Sequence, residues 1–306
     1  MRLLSFIVFM ALLGGVGTAA QQPVASSQTV CCGTLESYPS FPSRYITPRD
    51  VTVWLPDGYE KGDPCDVLYM HDGQMLFDAA ATWNHQEWQV DEVMCRLQGE
   101  RGLRPCIVVG IDNTQARIFE YFPKKMLDYL TAEQRGAIGE YEAMLTADNY
   151  LRFLVEELKP FIDSEYQPLT GPRHTLLMGS SMGGLISLYA MCEYPEVFGG
   201  AACLSTHLSM KMTDDFDNEP WAEAFRKYVK EHNPSPRNHR LYMDRGTVEL
   251  DGSYAPYQDA MDELLRSMGW EAPHFVSRVF DGHQHNEQCW ASRLDVPLRF
   301  LLSIIQ

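Results

Sequence analysis

Basic residues are scarce in this 306-residue sequence. Lys and Arg total 25, against 41 Asp and Glu, which gives a formal net charge of -16. Phosphate binding requires a clustered basic surface, and this composition does not supply one. The balance of charge therefore argues against a nucleic-acid partner.

Apolar runs long enough to span a membrane are also lacking near the N-terminus. The apolar run at residues 3–16 is shorter than the ~20 residues that a membrane-spanning helix needs. It follows Arg2 and precedes the small residues 17–20, a pattern typical of a signal peptide that is cleaved after Ala20. We therefore expect export to the periplasm or the extracellular space, without stable membrane insertion.

Metal-binding motifs are absent, since the sequence has no C-x-x-C pair and no His-rich spacing. We predict neither a metal nor a cofactor. Export permits disulfides among the eight cysteines, but the sequence does not reveal their pairing. Cys106 and Cys203 lie in apolar runs, where a buried free thiol is at least as consistent as a bridge.

No internal repeat, low-complexity tract or break in composition indicates a second domain. With 45% hydrophobic and 22% charged residues, the chain can bury one sizeable core. We predict a signal peptide at residues 1–20, a Ser/Pro/Gln-rich N-terminal segment at 21–48 and one folded domain at 49–306. The oligomeric state is not readable from these features.

Short β-branched runs alternate with longer segments of helical period. This alternation predicts an α/β fold, with a mostly parallel central sheet flanked by helices on both faces. The predicted strands are residues 51–55, 67–70, 106–111, 175–178, 201–204, 241–243 and 275–280. The predicted helices are residues 88–97, 149–162, 185–194, 221–230, 257–268 and 290–305. Residues 113–145 fit neither pattern and are interpreted as a lid or substrate loop.

Ser181 is the candidate nucleophile because it has glycines two residues away on both sides, Gly179 and Gly183. A G-x-S-x-G segment is informative only where it follows a strand and begins a helix. Here an apolar run precedes it and a helical segment follows. Ser180 lacks the flanking glycines and is not favoured.

A serine hydroxyl needs a base and a carboxylate that orients the base, and in this topology the chain order is Ser, acid, His. Two histidines, His283 and His285, follow the last predicted strand, and spacing barely separates them. Three acids follow the strand at 241–243. Among them Asp251 is favoured over Glu249, and Asp244 is as consistent with a structural turn.

The oxyanion of an acyl-transfer intermediate needs backbone N–H donors. One is expected from Met182, the residue after the nucleophile, and the other from Gln74 or Gly73 after the strand at 67–70. His71, Gly73 and His207 are candidates for substrate contact, although a capping or solvated role for His207 is the alternative.

Further residues near the predicted site are interpreted as structural. Trp83, Trp88 and Trp290 are interpreted as packing residues and not as platforms for a sugar ring. Arg117 and Glu120, in the predicted loop, are as consistent with a surface ion pair as with a role over the site.

Several segments occur in the order in which they occur in the esterase D-like esterases of the α/β-hydrolase group, and the sequence resembles that family. The segments run from residue 69 to 78, 109 to 113, 179 to 184 and 285 to 290, with Gly246-Thr247 and Leu250-Asp251 between them. The family includes feruloyl, acetylxylan and enterochelin-type esterases, S-formylglutathione hydrolases and mycolyltransferases. The resemblance implies an α/β-hydrolase catalytic domain.

The resemblance also implies roles for individual residues. These are Ser181 as nucleophile, His285 as base, Asp251 as acid, and Gln74 and Met182 as oxyanion donors. The sequence departs from the lipase-like pattern, because Asp72-Gly73-Gln74 stands where a run of glycines would be expected.

We expect a secreted serine esterase that acts on a small-molecule or carbohydrate-linked ester, of the acylated-carbohydrate or hydroxycinnamate type. A siderophore esterase or an acyltransferase is the alternative among enzymes. A binding module that kept the hydrolase fold without catalysis is the alternative from another class. The sequence does not distinguish the natural acyl group or alcohol.

Overall fold

The computed structural model describes residues 21–211 and 218–304. The predicted signal peptide lies outside the described residues. Across the described ranges, no helix combines the length and the apolar character needed to cross a bilayer.

Within the described residues, nine strands form one sheet. The strands are β1 (Val24–Ala25), β2 (Thr34–Phe41), β3 (Arg49–Leu55), β4 (Asp66–His71), β5 (Cys106–Ile111), β6 (Thr175–Ser180), β7 (Gly200–Leu204), β8 (Arg240–Arg245) and β9 (Phe275–Val279). Their order across the sheet is β1-β2-β3-β5-β4-β6-β7-β8-β9. From β5 to β9 every neighbouring pair is parallel, whereas β1, β2 and β3 pair antiparallel.

Both faces of the sheet are buried. In β4, Val67 and Tyr69 belong to one apolar cluster, while Leu68 and Met70 belong to another. Successive side chains of a strand point to opposite faces, so the two clusters lie on opposite sides of the sheet. This explains why the central strands appear in the sequence as continuous apolar runs.

Helices cover both clusters. They are α1 (Val90–Leu97), α2 (Arg117–Tyr121), α3 (Ala132–Gly136), α4 (Tyr141–Met144), α5 (Ala147–Arg152), α6 (Lys159–Tyr166), α7 (Met182–Glu193), α8 (Glu219–His232), α9 (Glu249–Gly252), α10 (Ala255–Ser267), α11 (Glu287–Ala291) and α12 (Asp295–Leu302). Helices α5 to α8 and α10 contribute to the first cluster, and α1, α11 and α12 to the second. The predicted α/β fold with helices on both faces is therefore confirmed.

All seven predicted strands overlap β3 to β9, but no strand was predicted within residues 21–48. That segment contains β1 and β2, and β2 pairs along its length with β3. The segment carries Pro39 and several serines, and its apolar residues Leu35, Tyr38 and Phe41 are three residues apart, so they lack the period of two that marks a strand.

Prolines alter two of the predicted helices. The helix predicted at 290–305 is divided into α11 and α12, because Pro297 has no N–H to bond the Arg293 carbonyl and can stand only near a helix start. The helix predicted at 149–162 extends from α5 to α6 through a π-helical segment, Phe153–Leu158, which ends two residues before Pro160. A wider turn accommodates the proline without ending the helix.

The predicted lid region at 113–145 consists of short helical segments and is partly interior. Tyr121, Met126 and Leu127 are fully buried in the first apolar cluster. Only part of this region therefore remains on the surface, and Arg117 at the start of α2 points toward the loop after β4.

Candidate active site

Ser181 lies at the sharp turn between β6 and α7. Its φ of 55° and ψ of -120° are a conformation that non-glycine residues rarely adopt. A Cβ on Gly179 would lie 2.6 Å from the Gly183 carbonyl carbon, so the chain can turn this tightly only without a side chain at 179. The turn leaves Ser181 half-buried at the carboxyl end of β6.

The backbone of Ser181 is held by the neighbouring strand. Its N–H donates to the Leu204 carbonyl at 2.9 Å, and its carbonyl accepts from His207 N–H at 3.1 Å. Both partners belong to the end of β7 and the loop that follows. The serine is therefore positioned by the sheet.

His285 and Asp251 are paired at the same edge of the sheet. His285 Nδ1 lies 2.6 Å from Asp251 Oδ1, although 34 residues separate them in the chain. Asp251 stands in α9, the short helix after β8, and His285 stands in the loop after β9. The Asn286 side chain accepts from Cys289 N–H and so caps the start of α11. This bond fixes the end of the loop that carries His285.

The Asp251 carboxylate is fully buried and accepts further hydrogen bonds on Oδ2. The donors are Gly246 N–H and the Ser205 hydroxyl, each at 2.6 Å. Burial alone would raise the pKa of Asp251, but the bonds from His285 and Ser205 hold that pKa below its ordinary value. Asp251 is therefore ionised near neutral pH, as a group that orients an imidazole must be.

A buried network supports this carboxylate. Arg293 donates to Ser205 Oγ at 2.8 Å and to Asp244 Oδ1 at 2.9 Å, and Trp290 Nε1 donates to Ser205 Oγ at 3.0 Å. Since Ser205 Oγ accepts from two donors, its own proton is directed to Asp251. Asp244 is thus the partner of Arg293 and does not contact His285, in agreement with a structural role.

The other sequence candidates lie elsewhere. Glu249 is exposed and is the first residue of α9, with a left-handed φ of 53°. The His283 carbonyl accepts from the amides of Thr247 and Val248. The Nδ1 atom of the His283 ring lies 3.2 Å from Arg293 Nη1. Of the two histidines, the structure brings His285 to an acid, and of the acids it brings Asp251 to a histidine.

The loop after β4 packs against the start of α7. A Cβ on Gly183 would lie 3.3 Å from Asp72 Oδ2 and 3.4 Å from the His71 Cβ. Gly73 approaches β5 so closely that a Cβ there would lie 2.5 Å from Ile111 N. These contacts bring the two predicted amide donors onto neighbouring segments.

Both predicted amide donors stand at helix starts, where N–H groups have no intrahelical acceptor. Met182 is the first residue of α7, and Gln74 lies in the single 3-10 turn Gly73–Met75. The Gln74 side chain accepts from Asn113 N–H at 3.0 Å, which fixes the turn relative to β5.

Asp72, in the loop after β4, and Arg117 form a bidentate ion pair. Arg117 Nε and Nη2 lie 2.7 Å from Asp72 Oδ1 and Oδ2, and Asn113 Nδ2 donates to Oδ1 at 2.6 Å. The Asp72 backbone is left-handed, with a φ of 61°. Arg117 therefore does not pair with Glu120, which instead forms a buried pair with Arg49 at 2.7 Å.

His71 lies behind the loop and is 1% exposed. Its Nδ1 lies 2.8 Å from the Tyr150 hydroxyl, and its ring packs against Tyr121 and Tyr150. Burial lowers the pKa of His71 to about 4, so the ring is neutral near pH 7. This placement supports the loop and does not expose the imidazole to a substrate.

Tyr254 is a residue of the site that the sequence analysis missed. Its hydroxyl lies 2.7 Å from His207 Nδ1, and His207 Nε2 lies 2.8 Å from the Lys211 carbonyl. The carbonyl can only accept, so Nε2 carries the proton and Nδ1 accepts from Tyr254. Burial raises the pKa of Tyr254, and a hydrogen-bond interaction with Ser181 opposes this rise.

His207 is therefore linked to Ser181 through the Tyr254 hydroxyl. Burial lowers the pKa of His207, which keeps its ring neutral and preserves this pattern of donors. Within the described residues, the His285 ring forms its hydrogen bond from Nδ1 to Asp251. It forms none with the Ser181 hydroxyl. Such bonds often tighten only when substrate binds.

The three tryptophans differ in exposure. Trp88 and Trp290 are buried and pack together with ring centroids 5.3 Å apart, as predicted. Trp83 is 82% exposed, so the prediction of a packing role was wrong for this residue. The next residue, Asn84, donates to Glu287 Oε2 at 3.0 Å, so the segment that carries Trp83 contacts the first residue of α11, two residues after His285.

Similarity to known proteins covers most of the chain. The family model described as "Putative esterase" matches residues 44–301. A siderophore enterobactin esterase of Emericella nidulans is 26% identical over 153 residues, which are 48% of this chain and 47% of that protein.

Solved structures share the fold. A ferulic acid esterase superposes with a TM-score of 0.64 at 19% identity, over 89% of this chain and 98% of that one. An IroE-like serine hydrolase from Shewanella oneidensis gives a TM-score of 0.65 at 21% identity, over 88% of this chain and 80% of that one. The family match and the shared architecture agree with the resemblance found in the sequence. The chain therefore belongs to this esterase family and is a carboxylic ester hydrolase with an α/β-hydrolase fold.

Proposed function

We propose that this protein is a secreted serine esterase with Ser181 as nucleophile, His285 as general base and Asp251 as the acid that orients it. The observation that carries the proposal is the 2.6 Å bond between His285 and a buried, ionised Asp251, at the sheet edge where Ser181 occupies a strained turn. Glycine-flanked strain of this kind is typical of a nucleophile elbow.

In acylation, His285 Nε2 takes the Ser181 proton while Oγ bonds to the ester carbonyl carbon. The carbon–alcohol bond then breaks, and the imidazolium returns the proton to the departing alkoxide. Asp251 holds Nδ1–H throughout, so that Nε2 is the nitrogen free to exchange the proton.

In deacylation, water replaces the alcohol. His285 removes a proton from water, the hydroxide oxygen bonds to the acyl carbon, and the bond to Ser181 Oγ breaks as Oγ is reprotonated. The products are a carboxylic acid and the free enzyme, and no further reactant is needed.

The developing oxyanion is proposed to accept from the amides of Met182 and Gln74. Each donor of this kind typically lowers the barrier by about 3 kcal/mol. The close packing of Gly183 against the His71–Asp72 segment supports the pairing of these two amides across one site.

The decisive test compares Ser181→Ala with Ser180→Ala on p-nitrophenyl acetate and methyl ferulate. Ser180 is the neighbouring buried hydroxyl and serves as the matched control. We expect only Ser181→Ala to lose turnover and the mass adduct with a fluorophosphonate. Equal turnover or equal labelling in the two variants would overturn the serine mechanism.

For the substrate, we propose an ester with an aromatic or sugar ring, of the hydroxycinnamate or acylated-carbohydrate type. Trp83 supports this class because its indole is exposed and offers a flat apolar surface to a ring, and because the adjacent Asn84 contacts Glu287, two residues after His285. A comparison of kcat/KM for methyl ferulate, acetylated xylo-oligosaccharide and methyl butyrate tests it. Preference for butyrate would contradict the proposal.

A siderophore trilactone is the second candidate, favoured by the similarity to a siderophore enterobactin esterase. A catechol amide also carries a ring that could lie on Trp83, so hydrolysis of the iron-free and ferric lactone has to be measured directly. Faster turnover of the lactone than of methyl ferulate would make it the leading substrate. Product analysis with added alcohol separates hydrolysis from acyl transfer.

Export rests on residues 1–20 and is supported by the Cys32–Cys95 disulfide, since such bonds persist in oxidising compartments. The intact mass of protein recovered from the periplasm or medium tests it. We expect the exported chain to begin at Gln21. An exported chain that begins at Met1 would refute cleavage of the signal peptide.

A further inference from the structure

Three carboxylates converge where the chain enters α1. They belong to Glu87, Asp91 and Glu92, and one oxygen of each lies within 4.8 Å of the others. Asp91 and Glu92 stand in the first turn of α1, and Glu87 precedes the helix by three residues. The cluster is separate from the proposed catalytic residues in the chain.

The cluster contains buried oxygens without hydrogen-bond partners. Asp91 is 1% exposed; its Oδ2 accepts from Cys31 N–H at 2.6 Å, but its Oδ1 has no partner. Glu87 Oε2 and Glu92 Oε2 are also buried without a partner among the described residues. Orphaned buried oxygens are uncommon in folded proteins and require an explanation.

Helix polarity accounts for only part of this arrangement. The N-terminus of a helix carries roughly half a positive charge, which favours acids in the first turn. Three carboxylates bring up to three negative charges, and no Lys, Arg or His donates to the three orphaned oxygens within the described ranges. Burial and the neighbouring Asp91 raise the pKa of Glu92 to about 7, as expected for a carboxyl group without a counter-charge. Most of the negative charge therefore remains without a counter-charge.

We propose that Glu87, Asp91 and Glu92 form a binding site for a hard divalent cation, with Ca²⁺ as the ion. Carboxylate oxygens suit hard cations, and Ca²⁺ tolerates irregular geometry and completes its shell with water. The half-buried side chains of Glu87 and Glu92 leave room for such water. The site differs from the expectation of no metal, which considered only cysteine and histidine spacing.

The cation would stabilise the contact between the N-terminal segment, at residues 29–32, and α1. Asp91 already holds the Cys31 amide, and Cys32 is bridged to Cys95 of the same helix. Asp78, in the preceding loop, accepts from Thr29 N–H at 2.9 Å. The site thus lies where residues 29–32 meet the helix, and its expected effect is on stability.

Binding is tested on the purified protein after treatment with EDTA. Tb³⁺ is the probe, because Trp88 follows Glu87 in the chain and can sensitise its luminescence. We expect saturable Tb³⁺ emission that Ca²⁺ displaces, and a rise in Tm of about 5 °C in millimolar CaCl₂. Unchanged Tm and no displaceable emission would overturn the proposal.

Variants assign the response to these carboxylates. Glu92→Gln and Asp91→Asn are expected to lose both the emission and the Tm rise, while Asp295→Asn, in the first turn of α12, keeps them. Without metal, Glu92→Gln is expected to melt above the wild type because one like charge is gone, so loss of binding is distinguishable from misfolding. Equal responses in Glu92→Gln and Asp295→Asn, or a response to Mg²⁺ but not Ca²⁺, would refute the assignment.

Discussion

The Tyr254 hydroxyl donates to Nδ1 of His207 at 2.7 Å and also interacts with the hydroxyl of Ser181. Because its proton is directed to His207, Tyr254 can only accept from Ser181. Tyr254 thus offers the Ser181 proton an acceptor that competes with His285, the proposed base.

Tyr254→Phe is therefore expected to increase the reactivity of Ser181. Loss of a competing hydrogen bond of about 0.5–1 kcal/mol corresponds to a roughly two- to fivefold faster fluorophosphonate labelling. Labelling rates of the two proteins measure this. Slower labelling with an unchanged Tm would mean that Tyr254 assists the nucleophile.

His285→Ala should lower kcat by about a thousandfold or more, since no other base would remain for Ser181. His283→Ala should keep most of the activity, because His283 contacts Arg293 and not Asp251. Steady-state kinetics on p-nitrophenyl acetate decide the matter. The opposite ranking of the variants would transfer the base to His283.

Asp251→Asn should lower kcat by about 10²–10⁴-fold while leaving KM nearly unchanged, because an amide cannot hold the imidazolium in place. Glu249→Gln removes the same charge from an exposed position and serves as the control. If Glu249→Gln were the more damaging change, the acid would have to be reassigned.

Trp83→Ala should raise KM for methyl ferulate by about two- to tenfold with little change in kcat, as expected for loss of a ring contact worth about 0.5–1.5 kcal/mol. Trp83→Phe should restore most of the affinity. An equal change with methyl acetate, which has no ring, would argue against a stacking role.

The burial of His71 predicts a pH dependence of stability. Between about pH 6.5 and pH 4 the unfolded chain binds a proton at this ring and the folded chain does not, so stability is full above 6.5 and falls as the pH decreases. The loss is about 3 kcal/mol near pH 4. Urea unfolding of the wild type and of His71→Asn, at about pH 6.5 and about pH 4, measures this loss of stability. An equal loss in the two proteins would disprove the prediction.

The fold was predictable because the central strands are buried on both faces and therefore stand out as short apolar runs. Strand β2 was missed because it lies near the sheet edge, where only Tyr38 and Phe41 among its 8 residues are buried. The break between α11 and α12 was visible in Pro297, a signal that the apolar periodicity of residues 290–305 concealed.

The candidate site was only partly predictable. Ser181, Asp251 and His285 each follow a strand, so topology and a local motif indicate them. Arg293 and Tyr254 act through contacts that cross the chain, and their spacing gives no comparable signal. For Tyr254, the separation of three residues from Asp251, about one helical turn, was the available indication.

Five adjacent strands, β4 and β6 to β9, supply the segments that meet around Ser181. The His285 loop comes after β9, near residue 280 of the chain, whereas the Gln74 turn is formed more than two hundred residues earlier. During synthesis, a ribosome-bound chain holding every segment up to β8 would still lack His285, the proposed base. On the proposed mechanism, the active site is therefore incomplete until the last strand has joined the sheet.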